Sequence, residues 1–378
     1  MSHPAADPAA VTALSAGERA RYARQLILPE VGHAGQRALR DARVLVVGVG
    51  GLGSPVALYL AAAGVGTLGL VDFDTVDVSN LHRQLLHDAS TLGMLKTESA
   101  ARHIAALNEH VRVERHDVTL DGAQADALVR AYDIVVDGSD NFAARYALSD
   151  ACVRHGVPLV SGSVERFAGQ LTVLVASGAP CYRCLFPNPP APETVLSCAE
   201  AGVLGVVPGI IGTMQATEVL KLILGIGEPL VGRLLLVDAL AMRFETMRVR
   251  RRASCAACGE AAQAPPVRAP EARSGDVTPR ALAEELQSGA TPLLLDVREP
   301  MEWDLVRLPG AVHVPLGRLH DRIATLPLEE DIVVYCHHGT RSAMAAEFLR
   351  EQGATRVRNL SGGIDRWSRD VDPTVARY

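Results

Sequence analysis

The first 260 residues alternate short runs of β-branched and aliphatic residues with longer stretches in which apolar residues have helical spacing. This alternation is typical of a parallel sheet covered by helices. Two later apolar runs are predicted as strands that can run antiparallel, as in a mixed sheet. The pattern therefore predicts an α/β fold. The predicted strands are 43–48, 67–71, 111–115, 134–137, 158–161 and, later, 171–176 and 234–237.

Two long segments carry almost no charge. Residues 44–71 are uncharged over a length that could cross a membrane. Seven glycines and Pro55 interrupt this segment, so we predict a buried strand, helix and strand instead of a membrane helix. The second segment, 202–225, is rich in glycine, and we expect it to pack in the core or at a subunit interface.

The pattern breaks at 259–275, where prolines and alanines replace apolar periodicity. We interpret this segment as an extended linker between two domains, 14–258 and 276–378. The second domain is predicted to be a smaller α/β unit. Its predicted elements are a helix at 279–287, strands at 293–297 and 331–335, and a helix at 341–351.

Composition limits the classes of partner. Of 378 residues, 48% are apolar and 21% are charged, as in ordinary folded proteins. The net charge of −6 predicts no general attraction to nucleic acid or to anionic membranes. Arginines at 248, 250, 251 and 252 are expected to form a solvated edge. Seven cysteines, an odd number, favour a reducing cytoplasm, and the first residues do not resemble a signal peptide.

A glycine-rich turn lies between the first predicted strand and a helix. Its glycines are Gly48, Gly50, Gly51 and Gly53, and their backbone can approach a phosphate at the start of a helix. Asp72 ends the next strand, where a carboxylate can accept hydrogen bonds from ribose hydroxyls. These features suit NAD and ATP alike, and a turn that serves only close packing is a further alternative.

The residues after Asp72 favour one nucleotide chemistry. They supply amide and cationic groups beside the turn, which hydride transfer does not need but attack at an α-phosphate does. Asp140, just after another strand, could hold the magnesium ion that this reaction requires. The candidate nucleotide-binding residues in this segment are Asp74, Ser79, Asn80, Leu81, His82, Arg83, Gln84 and Lys96.

Five motifs carry a resemblance to the MoeB/ThiF family of adenylyltransferases over about 14–259. They are 21–26 (RYARQL), the glycine turn 48–53, 72–74 (DFD), 79–84 (SNLHRQ) and 140–146 (DNFAARY). The resemblance implies a Rossmann-like mixed sheet that binds ATP. It also implies adenylation of the C-terminal glycine of a ubiquitin-like sulfur carrier of the MoaD, ThiS or CysO kind, which ends in Gly-Gly.

The same resemblance assigns roles to individual residues. Arg24 would reach into the site of a neighbouring subunit, which implies a homodimer. The residues that it places at the nucleotide are Gly51, Asp72, Ser79, Asn80, Leu81, His82, Arg83, Lys96, Asp140 and Asn141.

Two CxxC pairs, Cys181 with Cys184 and Cys255 with Cys258, could wrap four thiolates around one tetrahedral ion. Zinc is the natural ion, and the MoeB/ThiF resemblance implies it too, while a redox-active pair is the alternative. Cys198 lies between the two pairs. By its place in the family pattern it is a candidate nucleophile or resolving thiol, although a single cysteine also serves as a small apolar filler.

In the second domain, a loop from Cys336 to Arg341 joins a strand to a helix. Backbone amides at a helix start stabilise an anionic sulfur, and Arg341 adds positive charge. With segments 295–303 and 310–315, this loop resembles a rhodanese sulfurtransferase domain over 275–378, whose cysteine carries a persulfide. Asp296 and Arg298 are expected to form a structural ion pair. A rhodanese module without activity, kept for docking, is the alternative.

Together these features predict a bifunctional enzyme. ATP would activate the carrier glycine, a persulfide on Cys336, loaded from a persulfide or thiosulfate donor, would attack the acyl group, and Cys198 would release a thiocarboxylate. Its sulfur could serve molybdenum cofactor synthesis, thiamine, cysteine or tRNA. An NAD-dependent oxidoreductase fused to a rhodanese module and a nonenzymatic docking scaffold are the alternative hypotheses.

Overall fold

The computed structural model describes residues 13–174, 179–189, 202–259 and 276–376. These residues fall into two compact units, one containing the described residues up to 259 and the other those from 276 onward. We describe each unit by itself. The predicted domain boundaries at 258 and 276 remain predictions.

The N-terminal unit is built on an eight-stranded sheet with the order β3-β2-β1-β4-β5-β6-β7-β8. The first five of these strands in the chain run parallel, and β6, β7 and β8 follow as antiparallel neighbours. The structure thus confirms the mixed α/β class. The strands are β1 (Arg43–Val47), β2 (Thr67–Val71), β3 (Arg112–His116), β4 (Ile134–Asp137), β5 (Leu159–Glu165), β6 (Ala168–Leu174), β7 (Arg233–Asp238) and β8 (Arg243–Arg248).

Helices cover this sheet, and their ends carry recognisable caps. Ser15 and Glu18 form a capping box at the first helix, and Gly64 ends the helix after β1 in the left-handed conformation at φ 85°. The helices are Ala16–Arg21, Ala23–Leu26, Gly32–Asp41, Gly53–Ala63, Lys96–Leu107, Gly122–Val129, Phe142–His155, Tyr182–Leu185 and Val206–Leu224, with short 3-10 turns at Val78–Asn80 and Ala89–Thr91.

The uncharged segment 44–71 forms the predicted strand, helix and strand. Val44, Val46, Leu68 and Leu70 are all fully buried, because parallel strands are covered on both faces. Each side chain of this kind stabilises the fold by about 1.5–3 kcal/mol relative to an exposed position. The prediction of a buried strand, helix and strand, based on the glycines in this segment, is therefore confirmed.

Among the described helices, Val206–Leu224 alone is long and apolar enough to cross a membrane. It lies in the core of the unit. Gln215 donates a hydrogen bond to the carbonyl oxygen of Asp137 at 2.8 Å, and Ile211 packs against Gly169 of β6. Core packing, one of the two placements expected for 202–225, is thus observed.

The C-terminal unit is a five-stranded, fully parallel sheet with the order β11-β10-β12-β13-β9. One apolar cluster covers each face. The strands are β9 (Asp276–Val277), β10 (Leu293–Asp296), β11 (Val312–His313), β12 (Ile332–Tyr335) and β13 (Val357–Leu360), and the helices are Pro279–Gln287, Pro300–Leu305, Leu319–Arg322, Thr340–Glu351 and Gly363–Asp370.

Several elements are additions to the predicted ones. They are strands β8, β9, β11 and β13 and the helices Pro300–Leu305, Leu319–Arg322 and Gly363–Asp370. All six residues of β8 are exposed, and its two apolar residues, Phe244 and Met247, do not alternate as in a half-buried strand. Strand β13 is only four residues long and includes Arg358 and Asn359. The four elements that were predicted for the C-terminal unit have boundaries that are correct to within one residue.

The helix Val206–Leu224 offers a matched pair of glycines for a stability test. A Cβ on Gly212 would lie 2.5 Å from the carbonyl oxygen of Leu52, whereas nothing lies within 4 Å of a Cβ on Gly209. We expect Gly212→Ala to destabilise the unit by about 1–3 kcal/mol through overpacking. Gly209→Ala should be neutral or stabilise the helix by up to about 1 kcal/mol. Calorimetric unfolding of the full chain measures the free energy of unfolding of both variants. Equal changes in the two variants would contradict the close packing of Gly212 against Leu52.

Candidate functional site

The strand order of the N-terminal sheet reverses between β1 and β4. In open parallel sheets, ligands bind at the carboxyl ends of the strands that flank such a reversal. The glycine turn follows β1, and residues 138–141 follow β4. The topology therefore brings two of the predicted nucleotide segments to one edge.

Close backbone packing shapes the glycine turn. Gly48 has φ 84°, and a Cβ on it would lie 2.7 Å from the carbonyl oxygen of Gly138. A Cβ on Gly53 would collide with the carbonyl oxygen of Gly48. Neither position admits a side chain, so the turn presents bare amides at the start of the helix Gly53–Ala63.

Asp72 holds this turn from the end of β2. One carboxylate oxygen accepts from the amide of Val49 and the other from the amide of Asp74, both at 2.9 Å. Burial raises the pKa of Asp72, while Lys96 and the two amides oppose this rise. Asp72 therefore links the turn to the segment that follows β2.

Lys96 begins the helix Lys96–Leu107 and is buried. Its ammonium group lies 3.0 Å from a carboxylate oxygen of Asp74, and its amide donates to the carbonyl oxygen of Asp74. A buried ammonium requires such a partner. The structure thus gives Asp74, a predicted nucleotide residue, the role of holding Lys96 in place.

Hydrogen bonds within the segment 77–84 stabilise it as a loop. Asp77 accepts from the amide and hydroxyl of Ser79, and Asn80 accepts from the amide of Asp77. The guanidinium of Arg83 donates to the carbonyl oxygen of Ser79 at 2.8 Å. Asp77 was not among the predicted residues, although its place before Ser79 is typical of a cap.

Three further residues of this segment have different exposures. Leu81 is half-buried. His82 is exposed, and its ring Nε2 lies 2.7 Å from a guanidinium nitrogen of Arg83. Desolvation and the charge of Arg83 lower the pKa of His82. Gln84 is buried beside Gly50, and its side-chain oxygen has no hydrogen-bond partner among the residues that the structure describes. An orphaned acceptor beside the turn fits a site that binds a polar ligand.

The loop after β4 combines one buried and one exposed carboxylate. Asp137 is buried and accepts from the amide and hydroxyl of Ser139 and from the hydroxyl of Ser161. Asp140 is exposed, and the side chain of Asn141 caps the following helix. Asp137 shapes this loop but was not predicted; its position at a strand end before Gly138 was the available signal.

His87 is a third residue that was not predicted from the sequence, after Asp77 and Asp137. One ring nitrogen lies 3.0 Å from the carbonyl oxygen of Val49 and the other 2.9 Å from the hydroxyl of Ser99. Burial lowers its pKa. A neutral His87 therefore braces the glycine turn against the helix that carries Lys96.

Arg24 lies on the short helix Ala23–Leu26, where its side chain is exposed. Ile27 and Leu28, which follow, are 70% and 49% exposed. An arginine beside exposed apolar side chains is typical of a protein interface.

The two CxxC pairs meet in the fold. Their four sulfur atoms lie within 4.8 Å of one another, with Cys181 and Cys255 3.5 Å apart. Burial raises the pKa of Cys181. For Cys255, burial is outweighed by backbone amides together with hydrogen bonds from Cys181 and Cys184, which lower the pKa to about 7. This donor set fits a tetrahedral thiolate site.

Two arginines form hydrogen bonds to the backbone around this cysteine cluster. Arg251 donates to the carbonyl oxygen of Cys258, and Arg252 donates to that of Arg183. Both side chains are exposed, as expected for a solvated edge, but they also stabilise the cluster. Cys198, predicted as a nucleophile or resolving thiol, lies outside the described residues.

The loop after β12 surrounds the sulfur of Cys336, which is fully buried. The amide of Gly339 donates to this sulfur at 3.1 Å, and the hydroxyl of Ser342 lies 3.3 Å away. The rings of His337 and His338 stack at 4.0 Å. Burial, together with His338, lowers the pKa of His337 to about 3, so this histidine adds no charge to the loop.

The environment of Arg341 differs from the predicted one. Its guanidinium makes two hydrogen bonds to Glu302, at 2.6 and 2.7 Å, so a carboxylate balances its positive charge. Glu302 was not predicted as a partner, although it lies in the segment 295–303 that carried the resemblance. The expected pair of Asp296 and Arg298 is confirmed at 2.6 Å, fully buried.

Comparison with known proteins places both units. The family model described as "ThiF family" matches residues 22–257, and the model described as "Rhodanese-like domain" matches residues 278–370. The chain is 43% identical to "Probable adenylyltransferase/sulfurtransferase MoeZ" of Mycobacterium tuberculosis, over 99% of this chain and 98% of that protein. It is 44% identical to "Adenylyltransferase and sulfurtransferase MOCS3" of Sus scrofa, over 97% of this chain and 89% of that protein.

Solved structures support the fold of the N-terminal unit. The crystal structure of MccB of E. coli superposes with a TM-score of 0.58 over 64% of this chain and 73% of that one. The sequences are 22% identical, so this similarity concerns the fold alone.

Proposed function

The chain belongs to the ThiF family and carries a rhodanese-like domain, and we propose that it adenylates a ubiquitin-like sulfur carrier and then transfers sulfur to it. The observation that carries this proposal is the presence of two sites in one chain. One is a glycine turn with a buried lysine at a sheet reversal, and the other is a buried cysteine whose sulfur accepts from the amide of Gly339. The names of the relatives favour nucleotidyl transfer over the NAD alternative.

ATP would bind at the edge formed by β1 and β4. The bare amides of the glycine turn suit its phosphates, and Asp72 and the orphaned oxygen of Gln84 can accept hydrogen bonds from the nucleoside. Arg83 and Lys96 supply cations. The nucleotide residues of this proposal are Gly48, Gly50, Gly51, Gly53, Asp72, Asp74, Ser79, Asn80, Leu81, His82, Arg83, Gln84, Lys96, Asp140 and Asn141.

Magnesium would be held by Asp140, whose exposed carboxylate follows β4 at the same edge. When bound, a divalent cation neutralises charge on phosphate oxygens. Asp137 cannot easily serve in its place, because its oxygens already accept from Ser139 and Ser161.

In the first reaction, the carboxylate of the carrier's C-terminal glycine attacks the α-phosphorus of ATP. A new bond forms between carboxylate oxygen and phosphorus, and the bond to pyrophosphate breaks. Lys96, held by Asp74, and Arg83 stabilise the negative charge that develops. The product is an acyl adenylate, in which AMP is a good leaving group.

In the second reaction, the outer sulfur of a Cys336 persulfide attacks the acyl carbon and AMP leaves, which gives an acyl disulfide. The thiolate of Cys198 then attacks the sulfur of Cys336. The carrier leaves as a thiocarboxylate, and a disulfide between Cys198 and Cys336 remains for a cellular thiol to reduce. A persulfide or thiosulfate would supply the sulfur.

Zinc would be held by Cys181, Cys184, Cys255 and Cys258. The ion would join two segments that are far apart in the sequence, and its part is structural. Four clustered thiols without a disulfide among the described cysteines also support a reducing, cytoplasmic location.

A homodimer would complete the nucleotide site. Arg24 is exposed on its short helix, and the neighbouring Ile27 and Leu28 supply apolar surface that a second copy can cover. Arg24 would then stabilise phosphate charge in the partner's site.

Pyrophosphate exchange tests the first reaction. With a carrier ending in Gly-Gly, labelled pyrophosphate should enter ATP, and Lys96→Met should slow this exchange by about 100-fold or more. Lys221 also pairs with a carboxylate, that of Glu218, and bonds the carbonyl oxygen of Glu228. Lys221→Met is therefore the matched control and should leave exchange unchanged. Exchange that is absent with every Gly-Gly carrier would overturn the proposal, as would exchange that does not need the terminal glycine.

Zinc content tests the cysteine cluster. The purified chain should contain one zinc ion, and Cys184→Ser should remove it and lower the unfolding temperature, because three thiolates bind zinc less tightly than four. Cys152→Ala, a buried cysteine outside the cluster, should retain the ion. Full zinc in Cys184→Ser, measured by elemental analysis, would contradict the site.

Mixed dimers test the role of Arg24. Arg24→Ala and Lys96→Met should each be inactive in exchange. A refolded equal mixture should regain up to about a quarter of the wild-type rate, because half of the dimers then contain one intact site. If Arg24 acts only within its own chain, the mixture stays inactive.

A further inference from the structure

We propose that Asp276, Asn359 and Ser342 form a hydrogen-bond relay that positions the Ser342 hydroxyl. In this relay, the side-chain oxygen of Asn359 competes with the thiolate of Cys336 for the single proton of that hydroxyl. Asp276 and Asn359 are positioning residues that act on the sulfur through Ser342. The proposal rests on the sulfurtransfer proposed above, since it concerns the sulfur-bearing residue of that reaction.

The Ser342 hydroxyl has two acceptors within reach. Its oxygen lies 2.7 Å from the side-chain oxygen of Asn359 and 3.3 Å from the sulfur of Cys336. A hydroxyl carries one proton and can donate it to only one of them. Since Ser342 is completely buried, water does not supply a second donor.

Asp276 decides which end of the Asn359 amide faces Ser342. Strands β9 and β13 pair with Asn359 opposite Asp276, and the amide nitrogen donates to the Asp276 carboxylate at 3.3 Å. The other carboxylate oxygen accepts from Ser361 at 3.2 Å. A carboxylate only accepts hydrogen bonds, so the nitrogen of Asn359 faces Asp276 and its oxygen faces Ser342.

The position of the Ser342 proton then depends on the charge of the sulfur. When the sulfur of Cys336 is uncharged, the shorter bond to Asn359 is preferred and a lone pair of Ser342 faces the thiol. When Cys336 is a thiolate, the hydroxyl turns to the sulfur, because a charged acceptor binds a donor more strongly. The buried oxygen of Asn359 then loses its donor, which is costly.

This competition favours the loaded form of the site. The Cys336 thiolate attacks the outer sulfur of a persulfide donor, a new sulfur–sulfur bond forms, and the donor's own sulfur–sulfur bond breaks to release a thiolate. The inner sulfur of the Cys336 persulfide carries no charge. Ser342 can therefore bond Asn359 again, and the cost imposed by the bare thiolate is relieved on loading.

Apart from Asp276, the charged groups near Cys336 are paired and are common to every variant proposed below. The loop and the helix Pro300–Leu305 contribute Arg341 with Glu302. The helix Gly363–Asp370 contributes Asp365, near His338 and paired with Arg369, and β10 contributes Asp296 paired with Arg298. His337 stays neutral near neutral pH. Their field therefore does not distinguish the variants.

The test measures the pH dependence of Cys336 alkylation in the full chain. Iodoacetamide labelling of the Cys336 peptide, quantified by mass spectrometry, gives the midpoint of the rate-against-pH profile. Asn359→Leu keeps the branched shape of the side chain but removes the competing acceptor. We expect its midpoint to fall by about one pH unit, the scale of one buried hydrogen bond.

A double variant separates the relay from a general effect of substitution. In Asn359→Leu with Ser342→Ala, the downward shift should be lost, because no hydroxyl remains to donate to the sulfur. Ser368→Ala, a buried serine that bonds Val375 elsewhere in this unit, should leave the midpoint unchanged. If Asn359→Leu does not fold, Asp276→Asn is compared with Asp276→Asn plus Ser342→Ala. The lost charge of Asp276 lowers both midpoints, and only the variant that keeps Ser342 should show a further fall, because the amide of Asn359 can then reverse and leave the Ser342 proton to the sulfur.

An unchanged or raised midpoint in Asn359→Leu would overturn the relay, as would a fall that persists without Ser342. Alkylation requires neither ATP, carrier nor sulfur donor. If carriers remain unsulfurated while the midpoints shift as expected, the proposed function is wrong and the relay still holds.

Discussion

The close approach of backbone at the carboxyl ends of β1 and β4 is the constraint on which the N-terminal unit depends. Gly48 meets Gly138, and Gly53 meets Gly48, at distances that leave no room for a Cβ. This packing sets the start of the helix Gly53–Ala63 and the amides that face a phosphate. Asp72 and His87 then fix the turn from two sides. Side chains add charge to a site whose shape the backbone has already determined.

Much of this architecture could be predicted because it depends on local patterns. Buried parallel strands such as β1 and β2 are continuous apolar runs, and a glycine-rich turn between such a strand and a helix is typical of phosphate binding. Strand β8 could not be predicted, because an exposed edge strand needs no alternation of apolar and polar residues. Strand β13 is short and includes the polar Asn359, whose role depends on a strand formed elsewhere in the chain.

In the candidate sites too, the sequence shows which side chains are present but not which residues they contact. The sequence identified Lys96, Arg341 and Cys336 by the chemistry of their side chains. Their partners are distant in the chain: Asp74 lies 22 residues from Lys96, and Glu302 lies 39 residues from Arg341. Buried charges must find such partners in any fold, but only tertiary structure shows which ones. The sequence therefore indicated which groups could react, and the structure shows how they are held.

The pairing of β9 with β13 also governs the order in which the C-terminal unit can form during synthesis. Asp276 emerges from the ribosome 83 residues before Asn359, so the outer edge of this sheet stays open until almost the whole unit has been translated. Contacts between such distant residues slow folding, because a long loop must close first. The surroundings of Cys336 are consequently completed late, and a nascent chain would carry an incompletely enclosed thiol until its last strand arrives.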